Sequence, residues 1–182
     1  MEWVSGSFGS HTSYLYPMTL LRGDRSRMEF TGITFAGATQ ELDTGAKVVH
    51  GGRDTSSHIS TKSISKSGGA CIYRSEVIIG EHAKGAKSSV NCDSLMLDDI
   101  SRSDTIPAMD VRNDECDIGH EAKIGRISDS AIYYLMSRGI SEEDAKSMIV
   151  SGFAEPVAKE LPLEYAVEMN NLIKLEMDKS NG

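Results

Sequence analysis

The sequence predicts a mainly β fold followed by a small α-helical domain, and three observations lead there. Before residue 126 the 182-residue chain is rich in Gly, Ser, Thr and β-branched residues, and short extended runs alternate with turn chemistry. From Ile127 onward the apolar residues recur at helical spacing. Within the first half, Gly-Ala-Lys occurs at Gly45–Lys47 and again at Gly85–Lys87, and Cys71, Cys92 and Cys116 lie 21 and then 24 residues apart. Those intervals suit one coil of a parallel β-helix, a solenoid whose coils stack at roughly 4.8 Å and bury their faces against each other. A meandering antiparallel sandwich gives similar strands, and the spacing leaves it open. The expected division is 1–125 for the β core and 126–182 for the helices.

In chain order, the predicted strands are WVSGSFG, TSYLYPMTLL, RMEFTGITFAG, AKVVHGG, SSHISTKSIS, ACIYRSEVIIG, KSSVNCDSLML and AMDVRND. GDRS, GGRD, SGG and GEHAKG are the turns between them. In the second half Ile132, Leu135 and Met136 make one apolar stripe that Gly139 stops. Ser141 caps a second helix with Asp144 three residues on, and Ala145, Met148 and Ile149 form its inner face. A separate short segment is expected over Phe153–Glu160, with Pro156 in its first turn. Pro162 opens the last helix, lined by Ala166, Met169, Leu172, Ile173 and Met177. The simplest role for these helices is a cap over the open end of the sheet stack.

Composition excludes several classes. A net charge of −8 disfavours general nucleic-acid binding. The acidic excess is late, with ten Asp/Glu against five Lys/Arg from Ile127 onward, which reads as solvated helix faces or as a surface for a basic partner. No apolar run is long enough to span a membrane, and MEWVSGSFGS lacks a basic and an apolar signal region, so a cytoplasmic location is expected. Three cysteines without a C-x-x-C do not make a disulfide framework or a zinc ribbon. No phosphate-binding loop and no nucleophile elbow is present.

Two features carry chemistry. Free cysteine is most often a small buried hydrophobe. If the three cysteines stood on successive coils facing one way, they would form a ladder of soft ligands for zinc, Cu(I) or an iron–sulfur cluster. The second feature is DIGHEAKIG, Asp117–Gly125. Its His120-Glu121 pair is not a zinc-hydrolase helix, because the position for the second His is Ile124 and because Gly119 and Gly125 disfavour a helix interior. On a regular strand the two side chains point to opposite faces; at an irregular sheet-to-helix junction they could meet at one metal. The plainer reading is a surface pair that fixes the turn.

GAKSSVNCDSLMLDDISRSDTIPAMDVRNDECDIGHEAKIG, followed by YYLMSRGISEEDAKSMIVSGFAEPVAKELPLEYAVEMNNLI, closely resembles the C-terminal part of the SufB/SufD family, the scaffold subunits of iron–sulfur cluster assembly. VSGSFGSHTSYLYPMTLLRGDRS and TSSHISTKSISKSGG resemble it too, so the likeness runs along essentially the whole chain. The resemblance implies a right-handed parallel β-helix with a C-terminal helical domain. It implies pairing with a SufD-like or second SufB-like chain through the end of the β-helix, docking of a SufC-like ABC ATPase on the helices, and supply from a sulfur donor system. The role implied is that of a scaffold rather than an enzyme, with ATP hydrolysis on the partner. The cargo implied is a transient iron–sulfur cluster, and a flavin held by the assembled complex is also open.

Cys92 matches the SufB-type cysteine near the partner interface, and Glu121 matches the acid of the SufB-type His-Glu-Ala junction, where SufD-type chains more often read His-Gly-Ala. The resemblance therefore implies Cys92 as thiolate ligand, Glu121 as carboxylate ligand and His120 as support or ligand. A mixed shell holds a cluster less firmly than four cysteines, which suits a site that gives its cluster away. Two departures stand out: some members carry an acid where this chain has Gly119, and members are normally much longer, with an N-terminal region and earlier coils. An interaction module of SufD-like character, which dimerises and docks the ATPase without a cluster, is the alternative reading.

Overall fold

The computed structural model describes residues 1–179. The strands are β1 (Glu2–Phe8), β2 (Thr12–Leu15), β3 (Met18–Leu21), β4 (Arg27–Ala36), β5 (Glu41–His50), β6 (Ser56–Ser65), β7 (Ala70–Ile79), β8 (Ala86–Met96), β9 (Arg102–Val111) and β10 (Cys116–Arg126). The helices are α1 (Asp129–Met136), α2 (Glu142–Lys159) and α3 (Leu163–Asp178). One sheet runs β1-β4-β6-β8-β10; the other runs β2-β5-β7-β9, with β3 also on β5. Among the described residues every strand pair is parallel. The chain alternates between the sheets and returns one coil later, making a parallel β-helix of about four turns. The sandwich alternative falls away, since parallel neighbours need a crossover rather than a hairpin.

The register corrects the expected period. Hydrogen bonds between neighbouring coils join side chains 31 residues apart, as in Ser57–Ser88, Lys62–Asp93 and Ser63–Ser94. Register partners are 29 residues apart between β4 and β6 and between β5 and β7, 31 between β6 and β8, 32 between β7 and β9 and 30 between β8 and β10. The cysteine spacing is therefore not the coil: Cys71 lies on β7 in one sheet, and Cys92 and Cys116 lie on β8 and β10 in the other. Cys92 pairs with Ala122, six residues along β10 from Cys116, so those two cysteines stand about 20 Å apart along the strand. The ladder does not form. The two Gly-Ala-Lys runs likewise fall on β5 and β8, in different sheets.

Strand alternation builds two cores. Facing inward, Met28, Phe30, Val48, Ile59, Val77 and Val90 fill the lumen between the sheets. Facing outward from the first sheet, Ile33, Phe35, Ile64 and Leu97 meet Ile132, Ala145, Val150, Ala154, Val157, Met169 and Ile173 of the helices. Burial of such side chains contributes about 1.5–3 kcal/mol each, enough to fasten helices that would be marginal alone. The helices therefore lie on the flank of the solenoid, where they cover several coils, and do not cap its end as expected. The reason is the outward apolar row of Ile33, Phe35, Ile64 and Leu97, which packs against the helices.

Several boundaries also move. TSYLYPMTLL splits at Tyr16–Pro17, where proline lacks a ladder donor. The strand expected from Ala108 begins at Arg102, because its polar start is held by the neighbouring coil, Ala70 opposite Arg102. The DIGHEAKIG junction is a regular part of β10, with Gly119 and Gly125 placed where a side chain would meet nothing within 4 Å. α2 is continuous through the segment expected to be separate. Pro156 and Gly152, whose carbonyl loses its partner, are both exposed, so solvent takes the unpaired group. Met136 and Met148, expected on inner faces, are 43% and 53% exposed, because Val150, Ala154 and Val157 supply the contact instead. Ser128 and Ser141 cap α1 and α2 through their hydroxyls.

Candidate functional site

β8 and β10 place the three residues singled out by sequence. Cys92 is an inward position of β8, 2% exposed, packed with the lumen core. His120 is an inward position of β10, opposite Val90, and its Nε2 stands 3.8 Å from Cys92 Sγ. Glu121 is the next residue and points outward, opposite Asn91, where it pairs with Lys123 at 2.9 Å. Cys92 and His120 are thus brought together on the inner face, and Glu121 is set on the outer face of the same sheet. The cause is the regular alternation of β10, the strand geometry under which His-Glu neighbours diverge. Among the described residues no three His, Cys, Asp or Glu side chains converge to hold a metal ion.

Burial, above all, pushes the Cys92 thiol upward; the neighbouring Thr61 hydroxyl opposes this and the Asp93 carboxylate adds to it. Asp93 itself faces outward and pairs with Lys62 at 2.9 Å. Lys62 also lies 4.4 Å over the Phe153 ring of α2, so the charge row beside Glu121 touches the helical flank. The other cysteines are set apart. Cys71 donates to the Ile64 carbonyl, and burial pushes its thiol up to about 12, leaving it an inert core group. Cys116 donates to the Asn113 carbonyl at the start of β10.

Cys92 sits one coil from an open end. The inward side chains of the last coil include Met109, Val111 and Ile124, which are 40%, 44% and 48% exposed. β9 and β10 also carry unpaired edges, since each has a neighbour on one side only. This end of the stack thus presents two free parallel edges beside exposed apolar side chains. Inside the lumen, Cys92 borders a narrow cavity of about 20 Å³ shared with Thr61, Cys71, Tyr73, Ser94 and Thr105. Sequence reading missed Thr61 and Tyr73. The signal that finds Thr61 is the oppositely charged pair Lys62–Asp93, 31 residues apart, whose register sets Thr61 opposite Cys92.

None of the helices among the described residues is long and apolar enough to cross a membrane. The family model described as SUF system FeS cluster assembly, SufBD core domain, matches residues 1–153. The chain is 53% identical, over all 182 residues, to an iron–sulfur cluster assembly SufBD family protein of Staphylococcus aureus (strain USA300) and equally to one of Staphylococcus haemolyticus (strain JCSC1435). It spans 39% of the length of the Staphylococcus aureus relative. A family match over residues 1–153 and 53% identity along the whole chain leave one conclusion: this chain belongs to the SufBD family of iron–sulfur cluster assembly proteins.

Proposed function

We propose that the chain is the C-terminal part of a SufB-type scaffold on which an iron–sulfur cluster is assembled as cargo. The observation that carries this reading is the pairing of Cys92 with His120 one coil from the open end. A thiolate and an imidazole are borderline-soft donors suited to iron, and two ligands from one chain leave the rest to come from a partner. Glu121, on the outer face, reaches such a site only from the rim of β10, so its role is to bind iron at the edge shared with the second chain. The open β9–β10 end takes a SufD-like or second SufB-like chain. The helical domain, 126–182, docks a SufC-like ABC ATPase on its acidic outer surface; the last three residues of that range lie outside the described residues. ATP hydrolysis belongs to that partner, sulfur comes from a donor system, and any flavin belongs to the assembled complex. The location is cytoplasmic.

A second reading has a specific observation behind it. Only two of the three candidate ligands share a face, which favours a SufD-like docking module that holds no cluster. Anaerobic reconstitution with ferrous iron and sulfide, with and without a full-length partner scaffold, separates the two. The scaffold reading expects sulfide-to-iron absorption when the partner is present and its loss in Glu121→Ala. No cluster under any condition, with ATPase binding intact by calorimetry, would leave the docking module.

A further inference from the structure

Lys62 stands where the helices meet the strands of the site. It faces outward from β6, opposite Asp93 of β8 in register, and its Nζ donates to Asp93 Oδ2 at 2.9 Å. The same ammonium lies 4.4 Å from the centroid of the Phe153 ring on α2. Its side chain is 13% exposed, whereas every other ion-paired lysine among the described residues is 32% exposed or more. A charge held this far from water depends on its partners. The carboxylate offsets the cost of burying the ammonium, and the exclusion of water strengthens the attraction between the two. The ring provides that exclusion and adds a cation–π attraction of its own.

Asp93 in turn belongs to the rim of the site. It follows Cys92 on β8 and stands opposite Lys123 on β10, whose ammonium pairs with Glu121 at 2.9 Å. One charged row therefore leads from Phe153 on α2, through Lys62 and Asp93, to the last strand. The other contacts of the helices with the solenoid, through Ile33, Phe35 and Ile64, are apolar and non-directional. They fasten the helices but do not respond to charge at β8. Lys62 does, because its burial under α2 is favourable only while Asp93 is charged beside it.

We propose that Lys62 is a positioning residue that couples the helical flank to the site: the seating of α2 on the solenoid and the placement of Asp93, next to Cys92, are set together through its ammonium. A partner that draws α2 off the flank admits water to Lys62, weakens its hold on Asp93 and so loosens the rim of β8 and β10. By reciprocity, a change at Asp93 alters the seating of α2 by the same factor. Such coupling is a property of the folded chain and does not depend on whether the site holds a cluster.

The test is amide hydrogen exchange of the full chain, followed by NMR, with the protection of α2 amides as the measure of its seating. Asp93→Asn keeps the shape of the side chain and removes its charge. It is expected to lower the protection of the α2 amides around Phe153 roughly two- to fivefold, the range of one cation–π contact. The amide of Val48, in the buried middle of the solenoid, is expected to keep its protection. In Lys62→Met and in Lys62→Gln, which both lack the ammonium, adding Asp93→Asn is expected to leave α2 unaltered. Unchanged α2 protection in Asp93→Asn overturns the proposal. An equal loss at α2 and at Val48 overturns it too, since that is a loss of global stability rather than coupling. Persistence of the Asp93→Asn effect in either Lys62 variant overturns it as well, because the coupling would then run through another contact.

Discussion

The middle coils and the last coil of the solenoid have the same backbone and differ in what their inward side chains meet. On β6, β7 and β8, Ile59, Val77 and Val90 are 0%, 1% and 1% exposed, because a coil lies on each side. On β9 and β10, Met109, Val111 and Ile124 occupy equivalent inward rows and are 40% exposed or more. Burial is thus concentrated in the middle, and the proposed site lies next to the end of the stack at β9 and β10. Cys92 belongs to the middle by burial and touches the last coil by its contact with His120.

The largest expected effect comes from crowding the middle. A Cβ at Gly45 would collide with the Arg74 backbone carbonyl of the next coil. Gly45→Ala is expected to abolish folding or to cost more than about 3 kcal/mol by urea unfolding. A Cβ at Gly119, in the last coil, meets nothing within 4 Å, and Gly119→Ala is expected to be neutral or to gain about 0.5 kcal/mol. Equal effects would erase the distinction. Cavity formation comes next: Ile59→Ala should cost about 2–5 kcal/mol, and Ile124→Ala much less, because its side chain already touches solvent.

A third difference is read by pH. His50 is fully buried, with Nδ1 bonded to Thr55 and Nε2 to Ser57, and burial lowers it from 6.5 to about 4. The unfolded chain takes up the proton from pH 6.5 downward, and the native chain only near 4. The contribution is complete above pH 6.5, is lost as pH falls from there, and levels off below about 4. It amounts to about 3 kcal/mol, measured as the drop in urea-unfolding free energy between those limits; a flat profile would show that the buried histidine is not what links proton uptake to unfolding. On the flank, Ser141→Ala should cost about 1 kcal/mol of helix capping, read as amide-exchange deprotection of α2 with the solenoid unaffected.

How much of this was legible depended on distance along the chain. The change from strand to helix period was visible because alternation and capping are local: Gly139 and Ser141 adjoin the helices they stop and cap, and the Ala166–Met177 stripe lies within α3. The coil length was not, because three cysteines offered a false spacing while a true one lay in the charge pair Lys62–Asp93. The flank position of the helices was hidden for a related reason. Ile33, Phe35 and Ile64 read as ordinary strand residues until the register shows that they share an outer face. At the site, the divergence of His120 and Glu121 follows from alternation alone once DIGHEAKIG is known to be a strand. The sequence left a strand and an irregular junction both open, and the regular pairing of this segment with β8 is a tertiary fact.

The central claim is that one cysteine, Cys92, joins the buried lumen to the open end. Anaerobic reconstitution with ferrous iron and sulfide in the presence of the partner scaffold, followed by Mössbauer spectroscopy, tests it in Cys92→Ala beside Cys71→Ala and Cys116→Ala. The account predicts that the cluster is lost in Cys92→Ala and kept in the other two. Equal loss in all three would contradict it.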